Sequence, residues 1–295
     1  MARTPRDGRR EIVRFKRISP IEEIALKSAE LEPIMTITES QIAFFHENGY
    51  LAIPEITTQN EIVKMRVIYD RAFSAKVGRA EGNQFDLAGT DEEGKEASLP
   101  QILGLSRYEP EIAESLYRTN ALAISMQLLG DDARFTGDHA ILKPALHGAP
   151  TPWHQDEAYW GEEWDYNALS VWMPLQEANL DNGCMQFIPG SHKMEVQPHH
   201  SIGHDPRVHG LEIDEVDSSN AVPCALPPGG ATFHLSRTLH YTSPNLSPNP
   251  RRAYILTFAT PPTRRTSERD FYWNKIKRTA REDRAKTAGA VKPTL

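Results

Sequence analysis

A histidine and an aspartate two residues apart, His154 and Asp156, constrain this sequence more than any other pair. Side chains at i and i+2 of a β-strand point to the same face, so an imidazole and a carboxylate can reach one metal ion. A catalytic metal site needs a third protein ligand, which must come from a distant part of the chain. Two histidines and one carboxylate leave one face of the metal open, an arrangement typical of non-haem Fe(II) oxygenases. For this His-x-Asp triplet taken alone, the alternative to a metal site is a surface histidine that lies beside an acid.

Short apolar segments with period-two alternation run from about residue 133 to 262, between clusters of glycine, proline and asparagine. No helical pattern separates them at the spacing of a parallel sheet, which favours an antiparallel sandwich or jelly roll. Upstream, Thr38-Glu-Ser-Gln41 and Thr58-Gln-Asn-Glu61 have the capping-box pattern that begins helices. The order of helices and strands predicts an α+β protein with N-terminal helices buttressing one side.

The chain of 295 residues divides into three predicted parts: an N-terminal extension (1–37), a single domain (38–262) and a C-terminal helical tail (263–295). The tail is charged, and we expect the aromatic cluster Phe271-Tyr-Trp273 to dock it on the domain. The polar segment 79–99 reads as a long loop, either a lid or disordered.

Segment 193–222 is rich in histidine and is interrupted by proline and glycine. Pro198, Gly203 and Pro206 break any regular presentation of side chains, so a mobile loop over the mouth of the site is favoured over a second metal site. The histidines concerned are His199, His200, His204 and His209.

The charge and cysteine content exclude several partners. Lys and Arg number 33 against 40 Asp and Glu, a net charge of −7, whereas nucleic-acid binding favours a basic surface. No apolar run reaches the ~18 residues of a membrane span. Two cysteines are too few for a disulfide framework and favour a reducing, cytoplasmic setting. The expected partner is a small-molecule substrate, and a homo-oligomer remains open.

A second stretch, Gly229-Gly-Ala-Thr-Phe-His-Leu-Ser-Arg-Thr-Leu-His-Tyr-Thr-Ser-Pro-Asn245, is followed by Arg251-Arg-Ala-Tyr254. With the first triplet it resembles the phytanoyl-CoA dioxygenase family of Fe(II)/2-oxoglutarate oxygenases. The other matching elements are Phe45-His-Glu-Asn-Gly-Tyr50, Trp172, Asn182-Gly183 and Ile188-Pro-Gly-Ser-His192. The resemblance spans roughly residues 38–262 and implies a double-stranded β-helix (jelly-roll, cupin-like) dioxygenase domain.

The resemblance also implies the metal ligands. His154, Asp156 and His240 match the family's iron ligands and are therefore the predicted catalytic residues. His234 is the second choice for the distal histidine. His192 belongs to a structural turn in the family and is not counted as a ligand.

Cosubstrate residues follow from the same resemblance. Arg251, eleven residues after His240, matches the arginine that pairs with the distal carboxylate of 2-oxoglutarate. Thr242 stands where the family has an assisting hydroxyl, and Trp172 where it has a cosubstrate-lining tryptophan. The alternatives are Arg252 as the binder and Trp172 as an ordinary core residue.

Aromatic residues follow the first triplet closely and predict a substrate pocket wall, with a core cluster as the alternative. Tyr159, Trp160 and Trp164 are the predicted substrate-binding residues, with Tyr166 nearby. Lys143 is either structural or cavity-facing. No basic cluster is evident near the motifs, which favours a free small molecule over a coenzyme A thioester.

The predicted function is an Fe(II)/2-oxoglutarate-dependent dioxygenase that uses O2 to hydroxylate, or otherwise oxidise, a small organic molecule with release of succinate and CO2. A carboxylate at Asp156 favours hydroxylation over halogenation. The alternatives are a jelly-roll protein that binds metal without oxidation, and a Zn-dependent cupin-like hydrolase or isomerase that needs neither 2-oxoglutarate nor Arg251.

Overall fold

The computed structural model describes residues 35–289, and its first helix follows four residues of irregular backbone. Helix α1 (Glu39–Asn48) begins at Thr38 with the predicted capping box, in which Thr38 and Gln41 exchange side-chain to backbone hydrogen bonds. Gly49 ends it in the left-handed conformation, at φ 82°. The predicted extension, residues 1–37, lies almost wholly outside the described residues.

Helix α2 (Gln59–Ser74) begins at Thr58, but its second predicted capping box is incomplete. The Thr58 hydroxyl accepts from Glu61 N, whereas the Glu61 carboxylate accepts from the backbone N–H groups of Leu116 and Tyr117. Glu61 therefore ties α2 to the start of another helix. The further helices are α3 (Leu105–Tyr108), α4 (Leu116–Leu129), α5 (Tyr272–Ile276) and α6 (Ala280–Thr287).

The strands confirm the predicted mixture of helices and antiparallel sheets. They are β1 (Tyr50–Ile53), β2 (Gln84–Asp86), β3 (Pro100–Leu103), β4 (Arg134–Lys143), β5 (Thr151–His154), β6 (Trp164–Asp165), β7 (Ala168–Pro174), β8 (Met185–Phe187), β9 (His200–Ser201), β10 (Leu211–Glu212), β11 (Val222–Cys224), β12 (Ala231–Leu235), β13 (His240–Thr242), β14 (Arg251–Ala259) and β15 (Thr263–Arg264).

Two large antiparallel sheets organise the strands. The seven-stranded sheet has the order β1-β12-β7-β14-β4-β3-β2, and the four-stranded sheet has the order β11-β8-β13-β5. Strands β9 and β10 pair with each other, as do β6 and β15. Because β2 pairs with β3, the prediction that 79–99 is entirely a loop is wrong.

Alternation along the strands places different side chains on the two faces of the seven-stranded sheet. One face packs on the helices, where Val171, Leu256 and Phe258 join Met65 and Ile124 in the largest core cluster. The opposite face meets the four-stranded sheet through a second cluster that includes Trp172, Ile255, Met185 and Phe187. Helices, large sheet and small sheet therefore form successive layers.

The C-terminal segment docks through its aromatic residues, in two short helices. Phe271 and Trp273 are buried in a cluster with Ala158 and Leu211. The Trp273 indole Nε1 donates to the Ala158 carbonyl at 2.9 Å, so the tail contacts the turn that follows the His154 strand. Tyr272, by contrast, is exposed.

Candidate active site

The two predicted histidine ligands lie opposite each other in the four-stranded sheet. His154 is the last residue of β5, His240 is the first of β13, and the two are direct cross-strand partners with ring centres 4.1 Å apart. Asp156 lies beyond the strand, in a 3-10 turn (Asp156–Tyr159), so the expectation that both residues share one strand is wrong. The turn nevertheless brings the Asp156 carboxylate to both rings.

The potential ligand atoms converge. Asp156 Oδ1 lies 3.6 Å from His154 Nε2 and 3.4 Å from His240 Nε2. These three residues form a cluster in which each offers one ligand atom within 4.8 Å of the others. The donor set is two imidazoles and one carboxylate, which suits Fe(II) and leaves room for further ligands.

Backbone carbonyls fix the tautomer of both histidines. His154 Nδ1 lies 2.8 Å from the Pro152 carbonyl, and His240 Nδ1 lies 2.9 Å from the Thr238 carbonyl. A carbonyl only accepts, so both Nδ1 atoms carry hydrogen and both Nε2 atoms present a lone pair to the cluster. Such a partner on the second ring nitrogen is usual for metal-binding histidines.

Ser170 holds the other carboxylate oxygen, and His234 lies beside it. The Ser170 hydroxyl donates to Asp156 Oδ2 at 2.6 Å, and His234 Nε2 lies 3.4 Å from the same atom. Oδ1 is thereby left as the atom that faces the two histidines. His234, the second choice for the distal ligand, is beside the carboxylate rather than in the three-residue cluster.

Two members of the cluster, Asp156 and His154, have pKa shifts in the direction that metal binding requires. Burial alone raises the pKa of Asp156, but the neighbouring His240 and the contacts to His154 and His234 outweigh it and hold that pKa well below its usual range. Burial, together with His240, lowers the pKa of His154. At neutral pH the site therefore pairs an ionised carboxylate with a neutral His154.

The predicted cosubstrate residues all line the cavity, and three of their polar atoms have no hydrogen-bond partner among the described residues. Arg251 is 1% exposed, and neither its Nε nor its Nη1 has a hydrogen-bond partner among the described residues. The buried Thr242 hydroxyl is likewise unpartnered. The Arg251 guanidinium lies 5.4 Å from the centre of the Trp172 ring. Buried donors of this kind are costly without an acceptor, and the carboxylate of 2-oxoglutarate would supply one.

Two basic residues near Arg251, namely Arg252 and Lys143, do not line the cavity. Arg252 points to the helical side, where its Nε donates to Asp70 Oδ1 at 2.6 Å. Lys143 is buried and donates to the Ala149 and Thr242 carbonyls without lining the cavity, so its role is structural. Of the two neighbouring arginines, Arg251 is thus the one on the cavity face of β14.

A cavity of about 720 Å³ extends from the cluster of His154, Asp156 and His240, which we call the metal cluster, and is lined by residues of both large sheets. This volume is within the range of ~300–1,000 Å³ found for small-molecule sites. Tyr159 and Trp160 line it, but Trp164 does not: it lies in β6, paired with Arg264. Tyr159 is held by its hydroxyl, which accepts from Leu211 N at 2.8 Å.

The structure also shows lining residues that the sequence did not reveal. Ser170 holds the Asp156 carboxylate, and the period-two alternation from Trp172 is the signal that identifies it. His139 enters from β4, and Gln101 from β3. His209 is the member of segment 193–222 that reaches this cavity.

The expectation that no basic cluster lies near the site is wrong. Cationic side chains from distant parts of the chain line the cavity because α3, α4 and the C-terminal tail meet there. They are Arg107, Arg118, Lys277, Arg281 and Lys286.

A buried two-histidine, one-carboxylate cluster beside an unpartnered arginine and a small-molecule cavity defines an iron- and 2-oxoglutarate-dependent oxygenase. Comparisons with known proteins agree with this class. The family model of phytanoyl-CoA dioxygenase (PhyH) matches residues 45–253, and the chain belongs to this family. It is an enzyme, a dioxygenase whose cofactors are iron, 2-oxoglutarate and O2.

Individual relatives extend the comparison. The crystal structure of EvdO2 from Micromonospora carbonacea var. aurantiaca complexed with 2-oxoglutarate is 36% identical, with a TM-score of 0.70 over 82% of this chain and 99% of that one. A probable alpha-ketoglutarate-dependent hypophosphite dioxygenase from Stutzerimonas stutzeri is 26% identical over 72% of this chain and 75% of its own length. Ectoine dioxygenase from Halomonas elongata is 24% identical over 73% of this chain and 68% of its own length. Among residues 35–289, no helix is long and apolar enough to cross a membrane.

Proposed function

We propose that this dioxygenase hydroxylates, or otherwise oxidises, a small organic molecule, with His154, Asp156 and His240 as the ligands of Fe(II). The two sheets are proposed to form a double-stranded β-helix that spans residues 38–262. Bound iron, with 2-oxoglutarate and O2, supplies the oxidising chemistry, and the cosubstrate leaves as succinate and CO2. The buried, reduced Cys184 and Cys224 support a cytoplasmic setting.

The observation that carries the proposal is the pair of orphaned polar groups beside the ligand cluster. Arg251 presents a planar fork of donors whose charge is held in a buried position, and Thr242 presents a hydroxyl to the same space. Desolvation lowers the pKa of Arg251 to about 10, which leaves it charged at neutral pH. A bidentate carboxylate is the ligand best matched to this set.

Other residues are proposed to position the metal ligands and the substrate. Ser170 and His234 orient Asp156, so that its ligand oxygen stays directed at His154 and His240. Tyr159 and Trp160 form an aromatic wall that is proposed to hold the substrate and to exclude water. Glu157 anchors the intervening turn, because its fully buried carboxylate binds Arg237 at 3.0 Å and Arg269 at 2.7 Å.

The test is the stoichiometry of O2 uptake and succinate formation by the purified protein supplied with Fe(II) and 2-oxoglutarate. One succinate per O2, with a slow rate in the absence of substrate and a faster one when a metabolite library contains the substrate, supports the proposal. His240→Ala is the matched inactive control. Activity with Zn(II) that needs no 2-oxoglutarate would instead favour the hydrolase or isomerase.

A further inference from the structure

The end of the cavity bounded by the C-terminal tail has more positive charge than its acids neutralise. Five cations line it, Arg107, Arg118, Lys277, Arg281 and Lys286, against three acids, Glu81, Asp138 and Glu282. These three carboxylates accept hydrogen bonds from neutral groups. Asp138 accepts from both the N–H, at 3.1 Å, and the hydroxyl of Ser106. Glu81 accepts from the Tyr108 hydroxyl, and Glu282 completes the capping box of α6.

Arg281 is the central cation of this end. Its Nε donates to the Gly82 carbonyl at 2.9 Å, and its guanidinium lies 4.5 Å from the centre of the Phe85 ring. It forms no ion pair with any carboxylate of residues 35–289. Burial, the largest cause, lowers its pKa, and the nearby charges of Glu282 and Asp91 oppose this effect without outweighing it.

His209 adds a donor that has no acceptor. Arg281 Nη1 lies 3.4 Å from His209 Nε2. A guanidinium only donates, so Nε2 is the accepting nitrogen and Nδ1 carries the hydrogen of the neutral ring. This buried Nδ1 has no hydrogen-bond partner among the described residues.

Two further arginines reach the same cavity without an ion pair to any described carboxylate. Arg118 lies over the Phe135 ring, 3.7 Å from its centre, and Arg107 is solvent-exposed. Lys277 extends over the Tyr159 ring, with Nζ 4.8 Å from its centre. Lys277 and Arg281 are therefore the cations placed beside the neighbouring rings of Tyr159 and His209.

This charged end is separate from the cosubstrate position. Tyr159 lies between them, with its ring centre 5.7 Å from that of His209 and 6.2 Å from that of His154. Arg281 is thus removed from the iron ligands by two successive rings. A ligand that spans the cavity can place one end at Arg281 and another at the metal cluster.

We propose that the tail end of the cavity binds an anionic group of the substrate, a carboxylate or a phosphate, through Arg281 and His209. The proposal rests on the proposed function, because the opposite end of the same molecule is the part oxidised at the metal cluster. It makes the C-terminal tail a specificity element: Arg281 belongs to α6, and Lys277 lies between α5 and α6.

The experiment is anaerobic calorimetry on the full chain, loaded with Fe(II) and saturated with 2-oxoglutarate so that Arg251 is occupied. The probes are phenyl phosphate, benzoate and neutral benzyl alcohol, which share a ring and differ in charge. We expect one of the anions to bind about tenfold or more tightly than benzyl alcohol, as for a charged hydrogen bond. The phosphate and carboxylate arms show which anion the site takes.

Three variants assign the effect. Arg281→Gln should abolish the preference for the anion, whereas Arg281→Lys, which keeps the charge, should retain most of it. Arg278→Gln removes one charge from an exposed residue of the same tail outside the cavity, and should change nothing. Thermal unfolding checks that each variant is folded. Equal binding of all three probes by the wild type, or an anion preference that survives in folded Arg281→Gln, overturns the inference.

Failure of this inference is distinguishable from failure of the proposed function. Wild-type succinate formation in the absence of substrate depends on the metal cluster and the cosubstrate site. If it occurs and no probe preference is found, the charged end does not select the substrate. If the wild type forms no succinate at all, the proposed function itself is wrong.

Discussion

The two faces of strand β14 differ in the surroundings of their side chains. Tyr254, Leu256 and Phe258 face the helices and belong to the continuous apolar core. Arg251, Ile255 and Thr257 face the cavity, where a buried guanidinium lacks partners for two of its nitrogens. Both faces are buried, so burial alone does not separate the structural face from the functional one.

The difference lies in whether the charged group has a partner. Facing the helices, Arg252 pairs with Asp70, and the described polar groups without a partner are the neutral hydroxyls of Tyr69 and Tyr254. Facing the cavity, Arg251 and Thr242 have donors that no described residue accepts. Natural proteins rarely leave buried polar groups unpaired, so an unpaired cluster indicates a ligand. The two faces should therefore respond to mutation in different ways.

The largest effect is expected at the metal cluster. His240→Ala should eliminate stoichiometric iron and succinate formation, because one of three protein ligands is removed. His234→Ala removes only a neighbour of Asp156 and should weaken metal affinity by about 10–100-fold, as for partners of ligands. Metal analysis of both purified variants makes the comparison. Full iron occupancy in both His240→Ala and Asp156→Ala would refute the ligand assignment.

A core substitution on the helical face should affect stability instead. Leu256→Ala leaves a cavity in a fully buried cluster and is expected to lower the free energy of unfolding by about 2–5 kcal/mol. Thr257→Ala, the next residue on the opposite face, should cost less. Urea unfolding measures both. Equal losses for the two variants would show that the cavity face contributes to stability as much as the helical face.

A smaller effect is expected at the aromatic wall. Trp160→Ala should raise the substrate concentration needed to stimulate succinate formation by up to about tenfold, given aromatic contacts worth ~0.5–1.5 kcal/mol. Trp164→Ala is the matched control, because Trp164 does not line the cavity. Iron content should be unchanged in both. A larger substrate effect for Trp164→Ala would place the wall elsewhere.

The metal and cosubstrate residues follow from the resemblance of two distant stretches to the family, and they stay predictions, whereas the face that each residue of a strand occupies depends on short-range spacing. Neighbouring residues of β14 point to opposite faces, so Arg251 lines the cavity and Arg252 reaches Asp70 on the helical side. The same logic failed at Asp156, since the strand ends at His154 and a 3-10 turn follows. The sequence contains no signal that marks that boundary, and the turn achieves the same convergence.

The tail end of the cavity could not be predicted from local patterns. Arg107 and Arg281 are far apart in sequence, and only the docking of Phe271 and Trp273 brings the tail to the cavity. Trp164 does not line the cavity for a related reason: its proximity to Tyr159 in the sequence does not determine the direction of its side chain. Tertiary packing determines the position of the tail and the direction of Trp164, and residue spacing carries no information about it.

The most direct test of the central claim, that the unpartnered cavity face binds the cosubstrate, is a 2-oxoglutarate titration of Arg251→Gln and Arg252→Gln at saturating iron. Removing one side of a buried charge pair costs about 3–5 kcal/mol. The half-saturating concentration should therefore rise by about 100-fold or more in Arg251→Gln, with iron affinity unchanged. Arg252→Gln should resemble the wild type. Unchanged 2-oxoglutarate affinity in Arg251→Gln, or a larger effect in Arg252→Gln, would contradict the account.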